Sequence, residues 1–321
     1  MKSGALWTAV VVQLVSAAAL HAQPWVPPQG EGTVSLTYQN YYVLGHFNIQ
    51  GNTNTNGATH AKAMIAEVDF GLSDTIALTV TLPFIATKYT GPEEYFVGGI
   101  ATHPGPLDDR KYHAAFQDVR VEARRVFWAG PVAFAPLASV SIPTHDYETD
   151  GEAVAGRHRR ELQIGATAGA DLNRILPRTY VHGRYSLVAA ERMHGFASIK
   201  SNVDVEGGFD LSTRIGLLGL ASRQFRHKGP TIAELQAHDW VGHDRFMVSS
   251  YFNVGGGMTV SLTRNTELHV LWVGTVSGNN GAHRARMLAI GTSWSFGSGG
   301  FGGFAAVNDE RSRSIRQGAG F

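Results

Sequence analysis

Asp118, Arg120, Glu122 and Arg124 occupy every second position of one short run, with acids and bases alternating. On an extended chain these side chains share a face, because strand side chains repeat with a period of two. Glu67 with Asp69, Asp204 with Glu206, and Arg184, Arg245 and Glu267 extend the same pattern elsewhere. Paired charges at this spacing suit two tasks. They can hold packed strands together, since buried charges persist only when paired. They can also line a narrow passage and impose a transverse field on a small solute.

Strands must position these residues, and the strands are legible. From Thr75 to Phe84, Ile76, Leu78, Val80, Leu82 and Phe84 fall on one face and four hydroxyl or small residues on the other. Twelve segments of this kind can be drawn, from 33–45 to 284–296, including 115–127 and 245–259. Charges gather on one parity; apolar residues such as Val34, Leu36, Met64, Val140, Leu162 and Val248 gather on the other. A charge facing lipid at the bilayer midplane costs roughly 2–4 kcal/mol, so this segregation has a physical cause in a membrane barrel. Connections alternate between compact turns, such as Leu72-Ser73-Asp74, and long stretches at 47–58, 89–114, 145–157 and 227–244. That alternation fits short periplasmic turns and longer outer loops. The expected fold is all-β: a transmembrane antiparallel up-and-down barrel of about twelve strands, of the outer-membrane type.

The flanks fit a secreted chain. Lys2, an apolar run to Leu20 and small residues before Ala22 have the layout of a signal peptide. The run is shorter than the ~20 residues of a spanning helix. Residues 1–22 are thus expected to be removed, 23–31 to form a periplasmic N-terminal segment, 32–296 the barrel, and 297–321 a flexible periplasmic tail. The last strand ends on Trp294 and Phe296, an aromatic finish that resembles the signal read by the barrel-assembly machinery. Cysteine is absent, so no disulfide scaffold or thiolate site is indicated. A net charge of +1 gives no sign of a nucleic-acid partner.

The Gly30-Glu31-Gly32 opening, the first strand SLTYQNYY and the hairpin EVDFGLSDTIALTVTLPF carry a resemblance. Phe70-Gly71-Leu72-Ser73-Asp74 followed by Leu82-Pro83-Phe84 is similar to the hairpin of outer-membrane barrels named as transporters of the MetA-pathway of phenol degradation. The resemblance spans most of residues 30–296. It implies passage of aromatic or other hydrophobic compounds across the outer membrane, and it brings no catalytic, cofactor or metal residues.

Two other functions compete with passive passage. A closed barrel with a structural or surface-interaction role would use the charged interior equally well. A lipid hydrolase would need a serine beside a histidine, and Ser249 and Ser250 lack the His-x-Ser spacing of outer-membrane phospholipases. No enzymatic activity, cofactor or metal is expected. Most histidines, among them His46, His60, His113 and His283, fall in outer loops or at outer strand ends without a confirming ligand spacing. Basic groups at Arg157–Arg160, Arg223–Lys228 and Arg284 with Arg286 also fall at the outer rim. Arginine matches phosphate geometry, so outer-membrane lipids and lipopolysaccharide are the expected partners there.

Overall fold

Alternating segments cannot bury their apolar face against water, so they pair edge to edge and close on themselves. A computed structural model describes residues 23–297 apart from 56, 92–94, 98–99, 103–104, 129 and 239–242. The expected leader and the tail beyond residue 297 lie outside the described residues. Strand β1 is Gly32–Phe47, β2 Ala58–Ser73 and β3 Ile76–Thr90. β4 comes in two pieces, His113–Phe116 and Val119–Arg125, and β5 is Val132–Ile142. Then follow β6 Glu161–Asp171, β7 Thr179–Met193, β8 Phe196–Asp210 and β9 Ile215–Lys228. β10 is Ser250–Ser261, β11 Thr266–Asn279 and β12 His283–Phe296.

Each strand pairs antiparallel with its sequence neighbours, and β12 returns to β1 from Gly32 opposite Phe296 to His46 opposite His283. The result is a closed twelve-stranded antiparallel barrel. Its outward parity exposes Val34, Leu36, Met64, Val140, Leu162, Val205, Val270, Leu288 and Trp294. That apolar outer wall is the inverse of a water-soluble surface.

Three local features depart from a plain ladder. The break in β4 falls opposite Pro83 of β3, which has no N–H to give, and the Gln117 N–H donates to the Pro83 carbonyl at 2.9 Å instead. The outer β7–β8 and β11–β12 hairpins turn on His194-Gly195 and Asn280-Gly281, where both residues have positive φ, as a two-residue hairpin of this hand requires. The β9–β10 connection carries two short helices, α1 Ile232–His238 and α2 His243–Phe246. Thr231 and Glu234 cap α1 reciprocally: Thr231 N–H donates to Glu234 at 2.6 Å and Glu234 N–H to Thr231 Oγ1 at 3.3 Å.

The expected tenth strand therefore starts too early. Arg245 lies on α2 and Val248 is fully buried in the outer connection, rather than facing lipid. Ile232 and Leu235 pack with Phe246 and Met247 against Met193 and Phe196, which draws this stretch into a small apolar cluster.

Residues 23–31 lie at the short-turn end of the barrel, the periplasmic end in the topology expected from the sequence. Val26 is buried with Ala77, Val126 and Ala135. Gly71 accepts from the Gly30 N–H and donates to the Glu31 carbonyl, both at 2.9 Å, and a Cβ on Gly71 would lie 2.2 Å from the Pro28 carbonyl oxygen. A side chain there would push the segment away.

Candidate functional site

The lumen is the site the fold defines, and its inward-facing residues come from every strand. Across the charged wall, Arg184 of β7 reaches over two intervening strands to Glu122 of β4. Its two terminal nitrogens donate to the carboxylate at 3.1 and 2.5 Å. Arg120 donates to the same carboxylate from two residues away. Glu122 and Arg184 are each 4% exposed. A fork-to-fork pair this deep fixes both side chains, because neither has water to retreat to.

A second link joins β4 to β2. Arg124 donates to Asp69 at 2.6 Å and to Thr79 Oγ1 at 2.9 Å, and Thr79 donates to Asp69 at 2.8 Å. Glu67 accepts from Thr81 at 2.7 Å. On the far side Asp204 accepts from Ser222 at 2.6 Å. Glu206 accepts from Tyr180 at 2.8 Å and lies 3.4 Å from His182. Together these contacts form a belt of charge in which Arg184–Glu122 and Arg124–Asp69 tie non-neighbouring strands.

Two residues expected in this lining make other contacts. Asp118 sits in the gap of β4 and accepts from Tyr147 at 2.6 Å, so it anchors an outer loop. Burial, reinforced by the Asp118 charge, holds the Tyr147 phenol above its usual range, so it stays a donor. Arg245 donates to the His158 carbonyl at 3.1 Å from the outer helix. Glu267 faces inward but makes no ion pair among the described residues; it borders a cavity.

That cavity, about 100 Å³, occupies the half of the lumen nearer the short turns, the periplasmic half in the expected topology. Thr37, Glu206, Glu267, His269 and Leu218 line it, with Gln23 of the N-terminal segment at its edge. The outer half is different. Tyr41, Ile65, Ile85, Leu220, Leu271 and Met287 make an apolar inner wall, and Leu107 and Ala153–Ala155 from two outer loops pack onto it. The loops are joined where Asp108 accepts from the Glu152 N–H at 2.7 Å. Arg159, fully buried, donates to Ser198 Oγ and the Arg245 carbonyl, both at 3.2 Å, and to the Glu191 carbonyl. Sequence reasoning missed this plug and its apolar wall. The inward parity of Leu218, Leu220, Leu271 and Val273 was the available signal.

Among the described residues, no three histidine, aspartate or glutamate side chains converge as metal ligands.

No family model matches this sequence. No curated protein matches it either. Solved structures do. The chain is similar to an outer membrane channel of Pseudomonas putida F1, with TM-score 0.66 and 12% identity, covering 85% of this chain and 98% of that one. Looser likenesses include the translocator domain of the autotransporter NalP of Neisseria meningitidis, at TM-score 0.46 and 11% identity over 84% of this chain and 90% of that one. Another is the CymD monoaromatic hydrocarbon channel, at TM-score 0.45 and 7% identity over 91% and 95%. The first of these agrees with the strand pairing: the fold is an outer-membrane β-barrel.

Proposed function

We propose that this barrel resides in the bacterial outer membrane and passes small hydrophobic or aromatic compounds through its lumen without catalysis. The observation that carries the reading is the two-part lumen. An apolar outer half lined by β1, β2, β3, β9, β11 and β12 leads into a polar half with buried charge pairs and a cavity. A solute with an apolar body and a polar edge finds a partner in each half. The family resemblance and the channel from Pseudomonas putida point the same way.

The plugged outer half favours a second reading, a closed barrel with a structural role. Transport requires the loops bearing Leu107 and Ala153–Ala155 to leave the mouth. The test is uptake of an aromatic acid and a hydrocarbon into liposomes carrying the purified barrel. Uptake above that of empty liposomes is expected, and Arg120→Ala with Arg124→Ala should shift its charge preference. Flux equal to that of empty liposomes for every solute, with no conductance across a planar bilayer, would leave the closed barrel as the answer.

A further inference from the structure

We infer that the outward face of β12, β1, β2 and β3 near the outer rim is a binding site for the phosphate groups of lipopolysaccharide. The register builds the site. Arg286 lies opposite Tyr42, Tyr42 opposite His60, and His60 opposite Lys88, so four strands contribute one row. Lys62 stands one outward position nearer the periplasm, opposite Asn40, and Arg284 one position further out. All share the parity of Met64, Phe84 and Leu288, which face lipid. Among the described residues Lys62, Lys88, Arg284 and Arg286 have no carboxylate partner.

The row is held in shape. The ammonium groups of Lys62 and Lys88 lie 4.9 and 5.3 Å from the centroid of the same ring, that of Tyr112. The Tyr112 hydroxyl meets His60 Nδ1 at 2.6 Å, and His60 Nε2 meets Asn40 at 2.5 Å. Contact with an aromatic face favours each cation but does not relieve the repulsion between two cations gathered on one ring. An anion between them would.

Height and width identify the anion. From Lys62 to Leu72 at the periplasmic turn is ten residues of β2. At about 3.3 Å per residue and a tilt of about 40°, that is about 25 Å along the membrane normal, the height of the apolar band of such barrels. The cations thus stand at the outer edge of the band, at headgroup level. From Arg286 to Lys88 are three strand spacings, about 14 Å. A disaccharide with a phosphate at each end spans such a row, and a bisphosphorylated glycolipid is the headgroup of that shape.

This inference rests on the outer-membrane reading but not on transport, so the two fail separately. The folded barrel in detergent is titrated with bisphosphorylated lipid A and with the same lipid dephosphorylated, and binding is followed by thermophoresis. Wild type should prefer the phosphorylated lipid. Lys62→Ala, Lys88→Ala and Arg286→Ala combined should weaken that binding about a hundredfold, each surface cation contributing several-fold. Arg214→Ala with Arg264→Ala, at periplasmic turns, should not change it. If the triple variant lacks the heat-dependent gel shift of a folded barrel, Lys88→Glu alone is used and should lose more than about tenfold. Equal binding of both lipids, unchanged affinity in the variant, or displacement by about 10 mM inorganic phosphate, where the Debye length is still about 20–30 Å and screening alone does little, would overturn the assignment.

Discussion

The two halves of the lumen are built on different principles. The outer half is filled: apolar side chains from β1, β2, β3, β9, β11 and β12 meet Leu107 and Ala153–Ala155, and buried Arg159 pins the plug from the opposite wall. The periplasmic half is polar, held open by charge pairs and hydroxyls around a cavity. Closely packed apolar surface separates and re-forms as a unit, whereas a buried ion pair that opens must find water or another partner at once. The outer half is therefore the part suited to moving, and the belt of Glu122, Arg184, Arg124 and Asp69 the part suited to holding the barrel round.

The largest expected effect breaks the belt. Arg184→Ala would strand Glu122 in the interior with Arg120 alone, and loss of one member of a buried pair costs about 3–5 kcal/mol. The urea midpoint of the reconstituted barrel should fall accordingly. Glu122→Gln with Arg184→Met should restore most of the loss; if the double variant is no better than the single one, the pair is not the holding element.

Arg159→Ala acts on the outer half. It deletes three hydrogen bonds to a buried guanidinium, each of a kind worth about 1.5–3 kcal/mol. The expected outcome is loosening of the plug more than loss of the barrel: faster cleavage by external protease between 143 and 160, at a nearly unchanged unfolding midpoint. A matching fall in the midpoint would mean that plug and barrel unfold together.

The smallest effect concerns the periplasmic mouth. In Gly71→Val the new side chain would meet the Pro27 and Pro28 carbonyls at 2.4 and 2.2 Å. The N-terminal segment should be displaced, with a stability change of about 1 kcal/mol. A cysteine at Gln23 should then label faster from the periplasmic side than in the parent. Equal labelling would show that the segment does not depend on Gly71 for its seat.

How much of this the sequence disclosed depended on periodicity. Ile76 to Phe84 alternate without interruption, and β3 is found where that run lies. Glu122, Arg124 and Asp69 share an inward parity that a strand imposes, though nothing in the sequence specified that Arg184 would cross to Glu122. The stretch from Arg245 to Val248 alternates well enough to imitate a strand, and only the packing of Phe246 against Ile232 and Leu235 reveals a helix. Leu107 and Ala153–Ala155 are a few apolar residues within long polar connections, and an isolated apolar group has no period to read. Gln23–Pro28 has three prolines but no period to read; the evidence for its seat lay in distant Gly71 and in Gly169, where a Cβ would lie 3.0 Å from Pro24.

The most direct measurement is aromatic-acid uptake by liposomes carrying wild-type barrel, Arg159→Ala barrel, or none. Wild type should exceed empty liposomes, and Arg159→Ala should exceed wild type several-fold, because the plug limits passage and the belt remains intact. Uptake that stays at the empty-liposome level in both, although protease shows the loops released, would contradict a path through this lumen.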